Sequence, residues 1–160
     1  MVVSNTTPII ALALISRLDL LQQIYGEVSI PPSVEAEIQA GSAGAAGVQE
    51  LASADWIHVV ALNDPRRADY LTDLDRGEAE AIVLAEEMEA NILIMDERLG
   101  RRHARRLGLP LTGTLGVLIK AKDRGLLGAV KPLIDELRQA GIRLSDDVIQ
   151  EALQLARESD

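Results

Sequence analysis

The run "NILIM", residues 91–95, with Asp96 directly behind it, constrains this chain more than any other stretch. Its consecutive apolar side chains leave no alternating polar position, which is the pattern of a central strand buried on both faces of a sheet. The segment before it, residues 77–89, carries a dense face of Ala, Ile, Val and Leu and reads as a helix. The segment after it, residues 97–107, reads as a second helix, ended by Gly108. Helix, buried strand and helix in succession require a sheet whose strands are joined by right-handed crossovers.

The same alternation extends through the whole chain. Further strands are predicted over residues 2–5, 27–30, 57–62 and 109–113. A helix is predicted from Pro8 to about residue 24, with Thr7 as its N-cap and Pro at its first position. Others are predicted over 33–40, capped by Ser33, near 48–52, and over 66–74, 114–124, 130–140 and 146–157, the last led by Ser145. The small residues of 41–47 read as a flexible loop. This is an α/β fold with a mainly parallel sheet. No repeat and no long linker divides residues 1–160, so one domain is expected.

Composition narrows the function. Apolar residues make up 48% of the chain, enough for a packed core. There is no Cys, which removes disulfides, thiolate zinc sites and Cys nucleophiles. No apolar run reaches the roughly 18–20 residues that span a bilayer, because Arg17 and Asp19 interrupt the longest one. The expectation is a cytoplasmic protein with no membrane partner. The net charge of -9 argues against a generic polyanion binder. One Trp, two Tyr and no Phe leave little material for stacking bases. The charge is uneven, however: residues 1–80 hold 4 Lys or Arg against 12 Asp or Glu, and residues 81–160 hold 12 against 13.

Ligands of open parallel sheets meet the carboxyl ends of the strands. Asn5 and Asp96 end two of the predicted strands. Glu78 lies in the first turn of a predicted helix, with the apolar Ile82 and Ala85 on its face, so it is aimed toward the buried side. Glu37, in the short helix after the second strand, can reach the same edge. Oxygen ligands converging there suit a hard cation, Mg²⁺ or Mn²⁺, which relieves their mutual repulsion. Each residue has a plainer reading too. Glu78 suits a helix N-terminus, Glu37 suits solvent, and Asn5 and Asp96 suit loop or cap hydrogen bonds. Glu80 reads as facing water and stands as a substitute for Glu78.

The basic residues gather in "ERLGRRHARRLG", where Arg98, Arg102, Arg105 and Arg106 line a helix that starts beside Asp96. They read either as a solvated face paired with local acids or as a grip on phosphate, which the planar guanidinium suits. Thr112 and Thr114, at the end of the fifth strand, can add a polar contact, and Thr114 joins the arginines as a candidate nucleic-acid contact. His58 and His103 have no metal-ligand spacing and read as structural.

These residues carry a resemblance. The segments "VVSNTTPIIALA", "LDRGEAEAIVLAEEMEANILIMDERLGRRHARRLGL" and "TGTLGVLIKAKDRGLL" resemble the PIN-domain family, of the kind found in VapC-type toxins, and within it a largely uncharacterised prokaryotic branch. The eighteen residues from Glu78 to Asp96 match the spacing between the third and fourth acids of the family pattern. The resemblance implies a three-layer α/β/α sandwich with a mainly parallel sheet of about five strands. It implies RNA cleavage with Mg²⁺ or Mn²⁺ held at Asn5, Glu37, Glu78 and Asp96, which are the candidate catalytic and metal-binding residues. It also implies an antitoxin as partner and a homodimer.

Two positions depart from that pattern. Asn5 stands where the family has its first Asp, and Ile94 stands where many toxin members have Thr or Ser. An amide can offer a carbonyl oxygen to a hard ion but brings no negative charge. A catalytically weak module that binds RNA or a protein therefore stands as the alternative to a nuclease. A phosphoacceptor receiver domain is disfavoured, because Ser4-Asn5 replaces the acidic pair and no Lys follows the fifth strand before Lys120. Phosphate-loop and dinucleotide fingerprints are absent.

Overall fold

Neighbouring residues of the central strands point to opposite faces of the sheet, and this builds two separate cores. The computed structural model describes residues 1–41 and 45–159. Its strands are β1 (Val2–Ser4), β2 (Val28–Ile30), β3 (Ile57–Val59), β4 (Ile92–Ile94) and β5 (Leu111–Thr112). They form one all-parallel sheet in the order β3-β2-β1-β4-β5. Val2 and Ile94 enter one core, whereas Val3, Leu93 and Met95 enter the other.

The first core is closed by α1 (Thr6–Leu14), α2 (Asp19–Tyr25) and α3 (Pro32–Gln39), with the short α4 (Val48–Ser53) at its edge. The second is closed by α5 (Arg66–Asp69), α6 (Arg76–Glu87) and α7 (Arg98–Arg106). The chain then returns to the first face with α8 (Thr114–Asp123), α9 (Lys131–Gln139) and α10 (Asp146–Leu155). The result is a three-layer α/β/α sandwich, as expected. Part of the small-residue loop predicted over 41–47, residues 42–44, lies outside the described residues.

Three local expectations are corrected. The single helix predicted from Pro8 to about residue 24 is two helices, α1 and α2, bent by 119°. The break is a helix-ending motif in which Ser16 takes a left-handed conformation (φ 58°). There Arg17 N–H donates to Leu12 O at 2.8 Å and Ser16 N–H to Ala13 O at 3.0 Å. The N-cap of α1 is Asn5 rather than Thr7, and Pro8 is the third helical residue. Proline is tolerated there because first-turn N–H groups have no partner within the helix. Ser33 does not cap α3, whose N-cap is Pro31. Ser145 caps α10 as predicted, accepting from Val148 N–H at 3.2 Å.

Helix α1 is buried almost throughout, which is the packing expected of a helix apolar on every side. Among the described residues no single helix is long and apolar enough to cross a membrane.

Leu93, fully buried in the middle of β4, contrasts with Leu155, which is 62% exposed on α10. Leu93→Ala is expected to cost about 3 kcal/mol through lost transfer energy and the cavity left behind. Leu155→Ala is expected to change stability by less than about 0.5 kcal/mol. Urea unfolding of both variants checks the pair.

Candidate active site

From β1 the chain builds the sheet outward through β2 and β3, then crosses back to place β4 on the other side of β1. This reversal opens a crevice at the carboxyl ends of β1 and β4. The register is direct: Ser4 lies beside Ile94, and Asn5 N–H donates to Ile94 O at 3.2 Å. Asn5 is thereby set against the residues that follow β4, which are Asp96 and Glu97.

Asn5 has the extended backbone of an N-cap but makes no side-chain cap bond. An N-cap oxygen ordinarily accepts from the N–H of the second or third helical residue, and the third here is Pro8, which has none. The carboxamide is used otherwise. Its Nδ2 donates to Glu97 Oε2 at 2.8 Å. Its Oδ1 is buried with no hydrogen-bond partner, the only such side-chain atom among the described residues. The hydroxyl of Thr7 donates to the other oxygen of Glu97, Oε1. Glu97 is itself the N-cap of α7, and it lies at the start of α1, where the helix dipole favours an anion.

Asp96 is held from the opposite side. It accepts from Thr114 N–H at 2.7 Å and from Thr114 Oγ1 at 2.6 Å. Gly113 lets this turn close: a Cβ built there would stand 2.6 Å from Asp96 Oδ1. Burial pushes the Asp96 pKa up, against the pull of the Thr114 hydrogen bonds and the Arg101 charge. Arg101 anchors itself by donating from Nη1 to Met95 O at 2.8 Å.

Glu78 sits in the first turn of α6, whose N-cap Asp75 accepts from the Glu78 N–H at 2.8 Å. Its carboxyl pKa is pushed up to about 7, first by burial and then by the negative charges of Asp75 and Glu97. Glu37 accepts from Thr6 Oγ1 at 2.6 Å. It also packs over Gly77, where an added Cβ would overlap its carboxylate. Glu37 is therefore one residue removed from Asn5 on one side and from Glu78 on the other.

Glu80 does not face water. It is 8% exposed and satisfied by Ser33 N–H at 3.3 Å and Arg76 Nε at 2.7 Å, which makes it part of the scaffold. His103 pairs with Asp73 at 3.0 Å and His58 with Glu27 at 3.3 Å.

On α7, Arg98, Arg102 and Arg105 are exposed and share one face at helical spacing. None of the three makes an ion pair among the described residues. Thr114 is 4% exposed and gives both its amide and its hydroxyl to Asp96. Beside this rim a cleft of about 500 Å³ runs from Thr7, Asp96 and Arg101 toward Val148 and Leu155 on α10.

Two residues at the site are absent from the sequence-based set, Glu97 and Arg101. A signal for Glu97 exists, since "MDE" places two acids in a row at the end of the clearest strand. The donors fit a hard divalent cation in kind and in charge. They are all oxygens, one is a buried carbonyl with no partner, and the carboxylates repel one another. Among the described residues, however, no group of three or more His, Asp or Glu is gathered closely enough to hold a metal ion in this arrangement.

A family model described as PIN domain matches residues 1–158 of the chain. No curated protein matches its sequence.

The raised pKa of Glu78 has a consequence for stability. Between the ordinary carboxylate value of 4.5 and about 7 the folded protein keeps a proton that the unfolded chain has released. Stability therefore declines as pH rises through that window and stays reduced above it. In chelator, Glu78→Gln is expected to melt like the native chain near pH 4 and at a higher temperature above pH 7. Thermal melts across pH check this, and parallel curves would refute it.

Proposed function

The chain belongs to the PIN-domain family, and on that premise we propose that it is a metal-dependent ribonuclease hydrolysing RNA phosphodiester bonds. One juxtaposition carries the reading: Asp96 and Glu97, at the carboxyl end of β4, lead directly into α7, whose exposed Arg98, Arg102 and Arg105 make no ion pair among the described residues. A net acidic protein with one basic stripe beside an acidic crevice draws a polyanion to that crevice and not to its surface at large.

In this proposal Asn5, Glu37, Glu78 and Asp96, joined by Glu97, hold Mg²⁺ or Mn²⁺. Bound there, the ion supplies Lewis acidity toward a phosphoryl oxygen and makes a nearby water more acidic. The rest falls to the chain's own groups. Thr114 fixes both oxygens of Asp96, so that carboxylate meets its target already oriented. Glu78, whose carboxyl pKa is pushed up to about 7 in the metal-free chain, has to give up its proton to join the ion, so cation binding competes with that proton. Arg98, Arg102 and Arg105 grip the RNA backbone through charge-assisted, two-pronged hydrogen bonds. Attack of water on phosphorus, in line with the leaving 3′-oxygen, gives a 5′-phosphate and a 3′-hydroxyl.

The proposal carries its partners with it. RNA is the substrate, and the chain is the toxin of a toxin–antitoxin pair and forms a homodimer. The cleft beside Asp96, with exposed Val148 and Leu155 along it, suits a protein partner that covers the crevice. A second reading, a catalytically weak module that binds RNA or protein, is favoured by two observations: Asn5 is neutral, and no three acids are gathered among the described residues.

Cleavage of labelled RNA in Mn²⁺ separates the two. The nuclease reading expects turnover that chelator abolishes and that Asp96→Asn lowers by about 100-fold or more. Replacing Arg98, Arg102 and Arg105 by Ala is expected to weaken RNA binding for all sequences alike and to flatten its salt dependence. RNA binding with no cleavage by the native chain would establish the second reading instead.

A further inference from the structure

We propose that Glu97 supplies the negative charge that the neutral Asn5 lacks, and that the two side chains act as one hydrogen-bonded unit toward the cation. The inference rests on the metal-dependent reading above and assigns a residue to it.

Three observations carry it. First, the Asn5 amide donates to Glu97 at 2.8 Å, a bond that an ionised aspartate at position 5 could not make. An aspartate there would set a second carboxylate against Glu97. Asn at this position is matched to Glu97, so it is not simply a lost acid. Second, Asn5 is 2% exposed and its Oδ1 has no partner, although a buried acceptor without one is costly. Pro8 removes one of the two helix N–H groups that an N-cap oxygen ordinarily takes, and the amide's other end is fixed on Glu97. The buried oxygen is therefore left without a partner, and a carbonyl oxygen of this kind is a neutral ligand suited to a hard ion. Third, Thr7 holds the remaining oxygen of Glu97, so the carboxylate is fixed at both ends. It is also close enough for its charge to be felt by both Glu78 and Asp96.

The division of labour follows from these contacts. Glu97 brings the charge, Asn5 brings a carbonyl oxygen and orients Glu97, and Thr7 is a positioning residue. Moving the charge from one partner to the other should then preserve the unit. With Asp at position 5 and Gln at position 97, the hydrogen bond reverses direction and the total charge is unchanged.

Calorimetric titration of Mn²⁺ into the metal-free full chain tests this, with thermal melts in chelator to confirm folding. Glu97→Gln is expected to weaken Mn²⁺ binding by about 10- to 100-fold, the usual range for disturbing residues around a metal. The exchanged pair, Asn5→Asp with Glu97→Gln, is expected to return to within about threefold of the native chain. Thr7→Val is expected to weaken binding several-fold, and Thr7→Ser, which keeps the hydroxyl, to restore it. Should Glu97→Gln fail to fold, the exchanged pair and the Thr7 variants carry the test. Native-like binding by Glu97→Gln, or an exchanged pair that stays weak, overturns the inference. If the native chain meanwhile binds Mn²⁺ and cleaves RNA, the nuclease reading survives that loss. A native chain that binds no Mn²⁺ overturns both.

Discussion

The site depends on the parallel pairing of β1 with β4. These strands are far apart in the chain, and their register, Val2 beside Ile92 through Ser4 beside Ile94, brings Asn5 to Asp96 and Glu97. Fully buried apolar side chains hold that register on both faces: Val3 and Leu93 on one, Ile94 and Ile9 on the other. A slip of one residue would turn the slipped strand's side chains to the wrong faces and carry Asn5 away from the acids. The core is therefore what aligns the polar groups.

The crevice is expensive to build. Glu97 is brought within electrostatic reach of both Glu78 and Asp96, and burial adds to the cost of their charges. Local hydrogen bonds offset part of the cost. Thr114 serves Asp96, Asn5 and Thr7 serve Glu97, and Thr6 serves Glu37. Two glycines, Gly77 and Gly113, clear the space in which Glu37 and Asp96 lie. At Glu78 burial and the charges of Asp75 and Glu97 outweigh a backbone hydrogen bond from Asp75, and its pKa rises. Such concentrated and only partly relieved charge marks a functional site more often than a structural one.

Much of this was legible in the residues. Apolar runs such as "NILIM" announce buried strands, and the helix faces between them announce the layers, so the parallel sheet and its order of elements could be read. Asp96 at a strand end and Glu78 in a first turn could be placed for the same reason. Orientation within a few residues could not. Residues 8–24 carry apolar side chains on both sides of the break between α1 and α2, and a left-handed Ser16 leaves no trace in composition. Glu80 looks solvated because its type usually is, yet Arg76 and the Ser33 amide satisfy it in a buried place. Glu97 and Arg101 read as ordinary helix residues, because their roles arise from contacts with Asn5 and Met95, distant or out of phase in sequence. The family pattern likewise points to four positions and passes over Glu97.

The most direct measurement is a crystal structure of the protein grown in Mn²⁺, with anomalous scattering recorded at the manganese edge. The account predicts a single strong peak at the carboxyl ends of β1 and β4, within about 2.5 Å of oxygens from Asp96, Glu97 and Asn5. A crevice without manganese at saturating concentration, or manganese bound only elsewhere on the surface, would contradict it.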